Sequence, residues 1–147
     1  MPHVDSEREF TRGMADLSEG NTLAALVHFE KAVQVDSRPR YLSYLGYCAA
    51  LQRGQVQKGI GLCRQSIAED PGMADHYLNL GRILLLAGNK AEALEVLREG
   101  MAIAPHPVIG ELLETIGSRK PPVIGFLGRD NIINKHLGLL LCRLGMR

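Results

Sequence analysis

Tryptophan is missing from this chain, and rings of any kind are scarce: three Phe and four Tyr are the whole aromatic complement. Sandwiches and barrels of strands draw on aromatic and β-branched side chains. A core of Leu, Ala, Ile and Val with so few rings favours packed helices. Cysteine is also sparse. Cys48, Cys63 and Cys142 are odd in number and no two form a CxxC, which argues against a disulfide framework or a zinc site and fits a reducing compartment. Long apolar runs are absent; one such as residues 139–142 is far too short to span a bilayer. The N-terminal stretch is polar and acidic and lacks the basic start and apolar core of a secretory signal. The expectation is a soluble, cytoplasmic protein.

The motifs of catalysis are missing too. His3, His28, His76, His106 and His136 are scattered, without HxxxH or HExxH. There is no GxGxxG after a strand and no GxxxxGK[ST]. Residues 125–128 form a GxxG, but without the strands that flank a nucleic-acid clamp, and read as a turn. The expectation is no catalytic residue, no metal and no cofactor.

What is present is ordinary in bulk and uneven in distribution. The 147 residues suit one domain, 46% are hydrophobic and 22% charged, and the net charge is +1. Residues 1–116 hold 11 basic and 15 acidic residues, a net of −4. Residues 117–147 hold Arg119, Lys120, Arg129, Lys135, Arg143 and Arg147 against Asp130 alone, a net of +5. An acidic body therefore precedes a basic tail.

Along the body, residues recur at a spacing of 34. Gly20, Gly54 and Gly88 form one column; Ala25, Gly59 and Ala93 another. Phe29, Cys63 and Leu97, then Ala32, Ser66 and Gly100, then Val33, Ile67 and Met101 follow the same step. So do Leu17, Leu51 and Leu85, and Ser37, Pro71 and Pro105. The glycine column falls between two amphipathic segments, where a helix ends and the chain turns. Small residues seven apart on the second helix allow close helix approach, and the bulkier residue between them fills the gap. Proline stops that second helix. Spacings of i, i+3 and i+4 within each segment are those of amphipathic helices.

The third unit reads Tyr77-x2-Leu80-Gly81-x2-Leu84, then Ala93-x3-Leu97, then Pro105. This resembles the tetratricopeptide repeat (TPR), with Tyr for Trp and Leu for the second aromatic. The first unit keeps Gly13 of the opening signature and Ala25-x3-Phe29 with Ala32. The second unit departs: its glycine is Gly46, one position early, and Tyr47 takes the small-residue slot. A local shift there, or a ring pushed toward the surface, is expected. The resemblance implies an all-α, right-handed superhelix of antiparallel helix pairs, about eight helices in all. Three units would occupy 6–39, 40–73 and 74–107 after a flexible N-terminus at 1–5. A capping helix is predicted at 108–117, with Ile109, Leu112, Leu113 and Ile116 on one face.

The remaining segment, 118–147, is a basic, Leu-rich extension. A final helix is predicted from the N-cap Asp130 to about Leu144, with Ile133, Leu137, Leu140, Leu141 and Leu144 on one side. It reads as a cap, with attachment to a membrane or nucleic acid disfavoured, or as a pairing element for a homodimer.

In the TPR family the first helix of each unit lines a concave groove. Carried over, the resemblance implies Phe10, Thr11 and Met14 from unit one, Tyr41, Tyr44, Leu45 and Cys48 from unit two, Leu78, Asn79 and Arg82 from unit three, and Ile109 and Leu112 beyond them. The alternative reading is that several of these face the core or are covered by the chain's own tail. Such a groove suits a protein or peptide with apolar anchors. The positions where co-chaperone TPRs clamp a C-terminal carboxylate hold Glu7, Thr11, Leu45 and Asp75, with Asn79 alone suited to the task. The resemblance thus implies a non-catalytic adaptor of bacterial type. The alternatives are a holding chaperone like those of type III secretion, or a tail-mediated membrane or nucleic-acid accessory protein.

Overall fold

The computed structural model describes residues 2–118, and the side chains of 5–117. These residues form seven helices and no strand: α1 (Pro2–Ser18), α2 (Thr22–Val35), α3 (Pro39–Arg53), α4 (Val56–Glu69), α5 (Ala74–Leu86), α6 (Lys90–Ile103) and α7 (Pro107–Ser118). Helices pack as consecutive pairs, α1 with α2, α3 with α4 and α5 with α6. The pairs join through α2–α3, α4–α5 and α3–α5, and α7 closes the row on α6. This is the three-unit, all-α architecture that the 34-residue step implies.

The punctuation follows the columns. Gly20, Gly54 and Gly88 lie in the left-handed region, with φ of 84°, 69° and 82°. A Cβ there would meet nothing within 4 Å, so the requirement is conformational and not steric. The second helices stop at Val35, Glu69 and Ile103, two residues before Ser37, Pro71 and Pro105. Helix α1 begins at Pro2, within the stretch expected to be flexible; proline is well suited to a helix start, and Asp5 in the first turn favours the positive end of the helix dipole. The predicted capping helix is present as α7. Its Ile109 and Ile116 are buried with Ala74, Leu78 and Leu97 in a second apolar cluster. The predicted final helix, and any dimer through it, lie outside the described residues.

The interior of each pair is set by how its two helices share volume. In the first pair a Cβ on Gly13 would fall 2.4 Å from the Phe29 ring; in the third, a Cβ on Gly81 would fall 2.5 Å from Leu97. The first helix gives up its side chain and the second fills the space. The middle pair solves the problem differently. A Cβ on Gly46 would lie 2.8 Å from the Gly59 carbonyl oxygen, and one on Gly59 would lie 2.6 Å from that of Gly46. Backbone meets backbone here, flanked by the small residues Ser43, Ala50, Cys63 and Ser66, all buried. The close approach that the Tyr47 slot cannot make is thus made by Gly46 with Gly59. The Tyr47 ring is not at the surface, however: it is buried, because the Arg82 guanidinium covers it at 4.6 Å from its centroid.

A candidate concave interaction surface

The first helices α1, α3 and α5 carry the positions that the sequence assigns to the groove. On α1 and α3 those residues form an aromatic stack. Phe10 lies 4.8 Å from Tyr41, nearly parallel, and 5.8 Å edge-on to Tyr44. Phe29 from α2 joins at 5.4 Å from Phe10 and 5.9 Å from Tyr44. Tilted and edge-on contacts at such separations are favourable beyond simple burial. Two cations from the start of α3 lie over the rings: Arg40 over Phe10 at 4.9 Å and Arg38 over Tyr41 at 5.4 Å.

Asp75 then ties α3 to α5. The Tyr44 hydroxyl donates to its carboxylate at 2.7 Å, His106 Nε2 lies at 3.2 Å and Arg40 Nε at 3.7 Å. Burial and the adjacent Asp75 charge hold the Tyr44 phenol well above its ordinary range, so it stays a donor at any physiological pH.

Beside this node sits a buried polar cluster that the repeat columns did not announce. Ser43 Oγ lies 3.1 Å from His76 Nδ1 and accepts from Asn79 Nδ2 at 3.3 Å. Asn79 in turn accepts from Arg82 Nη1 at 3.2 Å. Asp70 Oδ2 stands 3.6 Å from His76 Nε2. Ser43, His76 and Asp70 together have the composition of a nucleophile, base and orienting acid. Yet Ser43 and His76 are 0% exposed, so no substrate carbonyl reaches the hydroxyl, and the cluster holds α3 against α5. Burial lowers the His76 pKa from its ordinary value, with Asp70 opposing that shift. The available sequence signal was Ser43 in the column where unit three carries Tyr77: a polar residue at a core position needs buried partners.

Of the eight residues expected to line the groove, Phe10, Met14, Tyr41, Tyr44 and Cys48 share one apolar cluster, Asn79 and Arg82 join the polar cluster beside it, and Leu78 packs in the second apolar cluster with α7. Phe10, Tyr41, Tyr44, Cys48, Leu78 and Asn79 are buried, while Met14 and Arg82 are half-buried. Cys48 is 0% exposed and its thiol is pushed up to about 12 by burial, with the nearby Arg82 charge opposing. That makes it a packing residue at rest, not a reactive thiol. Leu45 beside it is 8% exposed. The exposed residues on this side are Glu7, Thr11 and Arg40. Among the described residues no group of three or more His, Cys, Asp and Glu could hold a metal ion, and no helix is long and apolar enough to cross a membrane.

Comparison with known proteins agrees with this geometry. Two tetratricopeptide-repeat family models match, over residues 10–74 and 50–116, and the chain belongs to the tetratricopeptide-repeat family. No curated protein matches it significantly in sequence. Among solved structures it is similar to a Thermobaculum terrenum O-GlcNAc transferase mutant, with a TM-score of 0.67 at 20% identity over 78% of this chain. The match spans only 22% of that enzyme's chain. It is also similar to the second TPR domain of human RPAP3 in complex with the HSP70 peptide SGPTIEEVD: TM-score 0.62, 17% identity, 81% of this chain and 100% of that one. A third relative is the Yersinia enterocolitica type III secretion translocator chaperone SycD, in an alternative dimer: TM-score 0.59, 19% identity, 76% of this chain and 91% of that one. At these identities the likeness is one of fold.

Proposed function

We propose that this chain is a non-catalytic adaptor that holds a partner-protein or peptide segment along its concave side, on the half-buried Met14 and Arg82 and the exposed Thr11 and Arg40, over a buried floor of Phe10, Tyr41, Tyr44, Cys48, Leu78 and Asn79. The observation that carries this reading is the continuity of the strip. The Phe10–Tyr41–Tyr44 stack runs from α1 onto α3, and the Tyr44–Asp75 bond carries it to α5. A continuous apolar, aromatic strip with a few polar handles is what an anchored peptide needs.

A holding chaperone for an extended client segment is the more specific form of the same reading. The similarity in size and fold to the translocator chaperone favours it. Recognition of a C-terminal carboxylate, as in a peptide ending in Glu-Val-Asp, is disfavoured. Glu7 is already paired with Arg38 at 2.9 Å, and Asp75 with Tyr44 and His106. Carboxylates at those positions would repel the ligand's own.

The test is selection from a random peptide library displayed against the full chain, followed by fluorescence anisotropy. Peptides with two or more apolar anchors should emerge, SGPTIEEVD should not bind, and Met14→Glu with Arg82→Glu should weaken binding about tenfold or more, worth ~1.4 kcal/mol, with helical content retained. The reading fails if selected peptides bind that double variant as tightly as the parent.

A further inference from the structure

Among the described residues two cationic side chains are half-buried, Arg38 and Arg82; the other arginines and the lysines are exposed. Arg38 is met by carboxylates on both sides, Asp36 at 2.7 Å and Glu7 at 2.9 Å. Among those residues Arg82 meets none. Its contacts are neutral: the Tyr47 ring, 4.6 Å from the guanidinium carbon, and the Asn79 amide oxygen, which accepts from Nη1 at 3.2 Å. A charge drawn out of water is normally paired. A ring and an amide hold this one in place without neutralising it. The charge is felt across the floor of the groove: burial raises the Tyr44 and Cys48 pKa values, and Arg82 opposes both shifts. Resting on the reading of the concave side as the binding surface, we propose that the segment held there carries one internal Asp or Glu among its apolar anchors, and that Arg82 binds that carboxylate.

Three observations select this partner chemistry. The first is the form of the donor. A guanidinium stacks by its face and donates from its edge. Tyr47 takes the face and Asn79 takes one N–H, so edge donors remain for a ligand, and the two oxygens of a carboxylate match that fork. Asn79 is itself fixed, donating from Nδ2 to Ser43 at 3.3 Å. The guanidinium is thus oriented before a ligand arrives, and less side-chain freedom is lost on binding. The second is the balance of charge along the groove. Glu7 is taken by Arg38, and Asp75 by Tyr44, His106 and Arg40. That leaves Arg82 as the unanswered charge, and it admits a single acid. A phosphate group, with nearly two charges, exceeds one cation and meets the net −4 of residues 1–116. The third is position. Arg82 stands seven residues beyond Asp75 on α5, about 10 Å along the helix, where physiological salt screens most of the repulsion from that carboxylate. It is also a turn beyond Asn79, the one position suited to a C-terminal carboxylate. The floor beside it is Tyr44 and Cys48, so the acid falls among apolar anchors and not at a free chain end.

The experiment compares two peptides on two chains. A peptide selected on the full chain, and its version with the acidic residue made the amide (Glu→Gln or Asp→Asn), are measured by fluorescence anisotropy with the parent and with Arg82→Gln. Selected peptides should share one acidic residue at a constant spacing from their apolar anchors. Converting it to the amide should weaken binding to the parent about tenfold. With Arg82→Gln the same conversion should matter by no more than about twofold. Arg82→Lys should recover only part of the difference, because an ammonium lacks the fork. Should Arg82→Gln lose helical content, Arg82→Met, which keeps an apolar cover on Tyr47, gives the same comparison: a tenfold conversion penalty retained there overturns the inference, and its disappearance supports it. The inference is overturned if the selected peptides lack an acidic residue, if the conversion costs the same with and without Arg82, or if phosphoserine in place of the acid binds the parent more tightly. Acid-free peptides that nonetheless lose binding to Met14→Glu would leave the adaptor reading standing and remove this one. A library that yields no ligand would remove both.

Discussion

The outer and middle repeats build the same helix pair with opposite divisions of volume. In units one and three the first helix supplies glycine and the second supplies bulk, Gly13 to Phe29 and Gly81 to Leu97. In unit two both helices are small at the seam, Gly46 against Gly59, and the displaced bulk of Tyr41, Tyr44 and Tyr47 moves to the sides facing units one and three. A repeat position therefore specifies where two helices must approach, while leaving open which helix yields the space. The outer seams can adjust by moving a side chain. The middle seam has none to move.

The largest effect should follow from adding a methyl group where nothing can retreat. Gly46→Ala places a Cβ against the Gly59 backbone oxygen and should cost about 3 kcal/mol, at the upper end for overpacking, in urea unfolding. No substitution at residue 59 should rescue it, since Gly59 already lacks a side chain. An outer seam should behave otherwise. Gly81→Ala presses on the Leu97 side chain alone and should cost about 2 kcal/mol. Because the two changes share one space, Gly81→Ala with Leu97→Ala should lose at least ~1 kcal/mol less than the sum of the single costs. Additive losses at 81 and 97, or rescue of Gly46→Ala by a change at 59, would erase the distinction between the two seam types.

A smaller effect separates the joints between units. The joint of units one and two is a stack of rings, whereas that of units two and three rests on His76, Ser43 and Asn79. Burial lowers the His76 pKa in the folded protein, so below pH 6.5 the unfolded chain takes up a proton that the native one refuses. The contribution of neutral His76 is complete above 6.5 and should be lost as pH falls through the folded value. Asp70, Asp75 and Arg40 also act on that ring. Unit one carries its acid-sensitive group lower on the scale. Glu9 on α1 is held below 4.5 by its 2.7 Å hydrogen bond to His28, so its contribution is present above 4.5 and lost as pH falls through its folded value. Hydrogen exchange across an acid titration should therefore show α5 amides losing protection before those of α1, and His76→Gln should remove the earlier step. Simultaneous loss along the whole row would mean that the two joints do not differ.

Much of this molecule was legible in its sequence for a simple reason. A step of 34 residues fixes which positions meet, and glycine, alanine and proline at those positions carry unambiguous backbone meaning; hence the turns at Gly20, Gly54 and Gly88 and the stops before Ser37, Pro71 and Pro105. Tyr47 was harder to read. Its slot demands a small residue, and only the three-dimensional pairing shows Gly46 with Gly59 taking over the close approach while Arg82 shelters the ring. The groove residues were named by position, but position says nothing of exposure, and the burial of Cys48 and Asn79 depends on everything packed around them. The Ser43–His76–Asn79 cluster escaped because its members lie 33 and 36 residues apart, adjacent to the repeat column but outside it.

Asp75 has a consequence for how the row comes apart. One carboxylate holds Tyr44 from the second unit and His106 from the stretch leading into α7, with Arg40 close by. In a stacked array each unit contacts only its neighbours, and the terminal unit is normally the first to fray. Peeling α7 away here breaks a contact to the residue that also binds unit two, so the end of the array is latched to its middle. The last unit should therefore not fray ahead of the middle one, and a short array near the minimum length for stability keeps its last turn closed by a single acid.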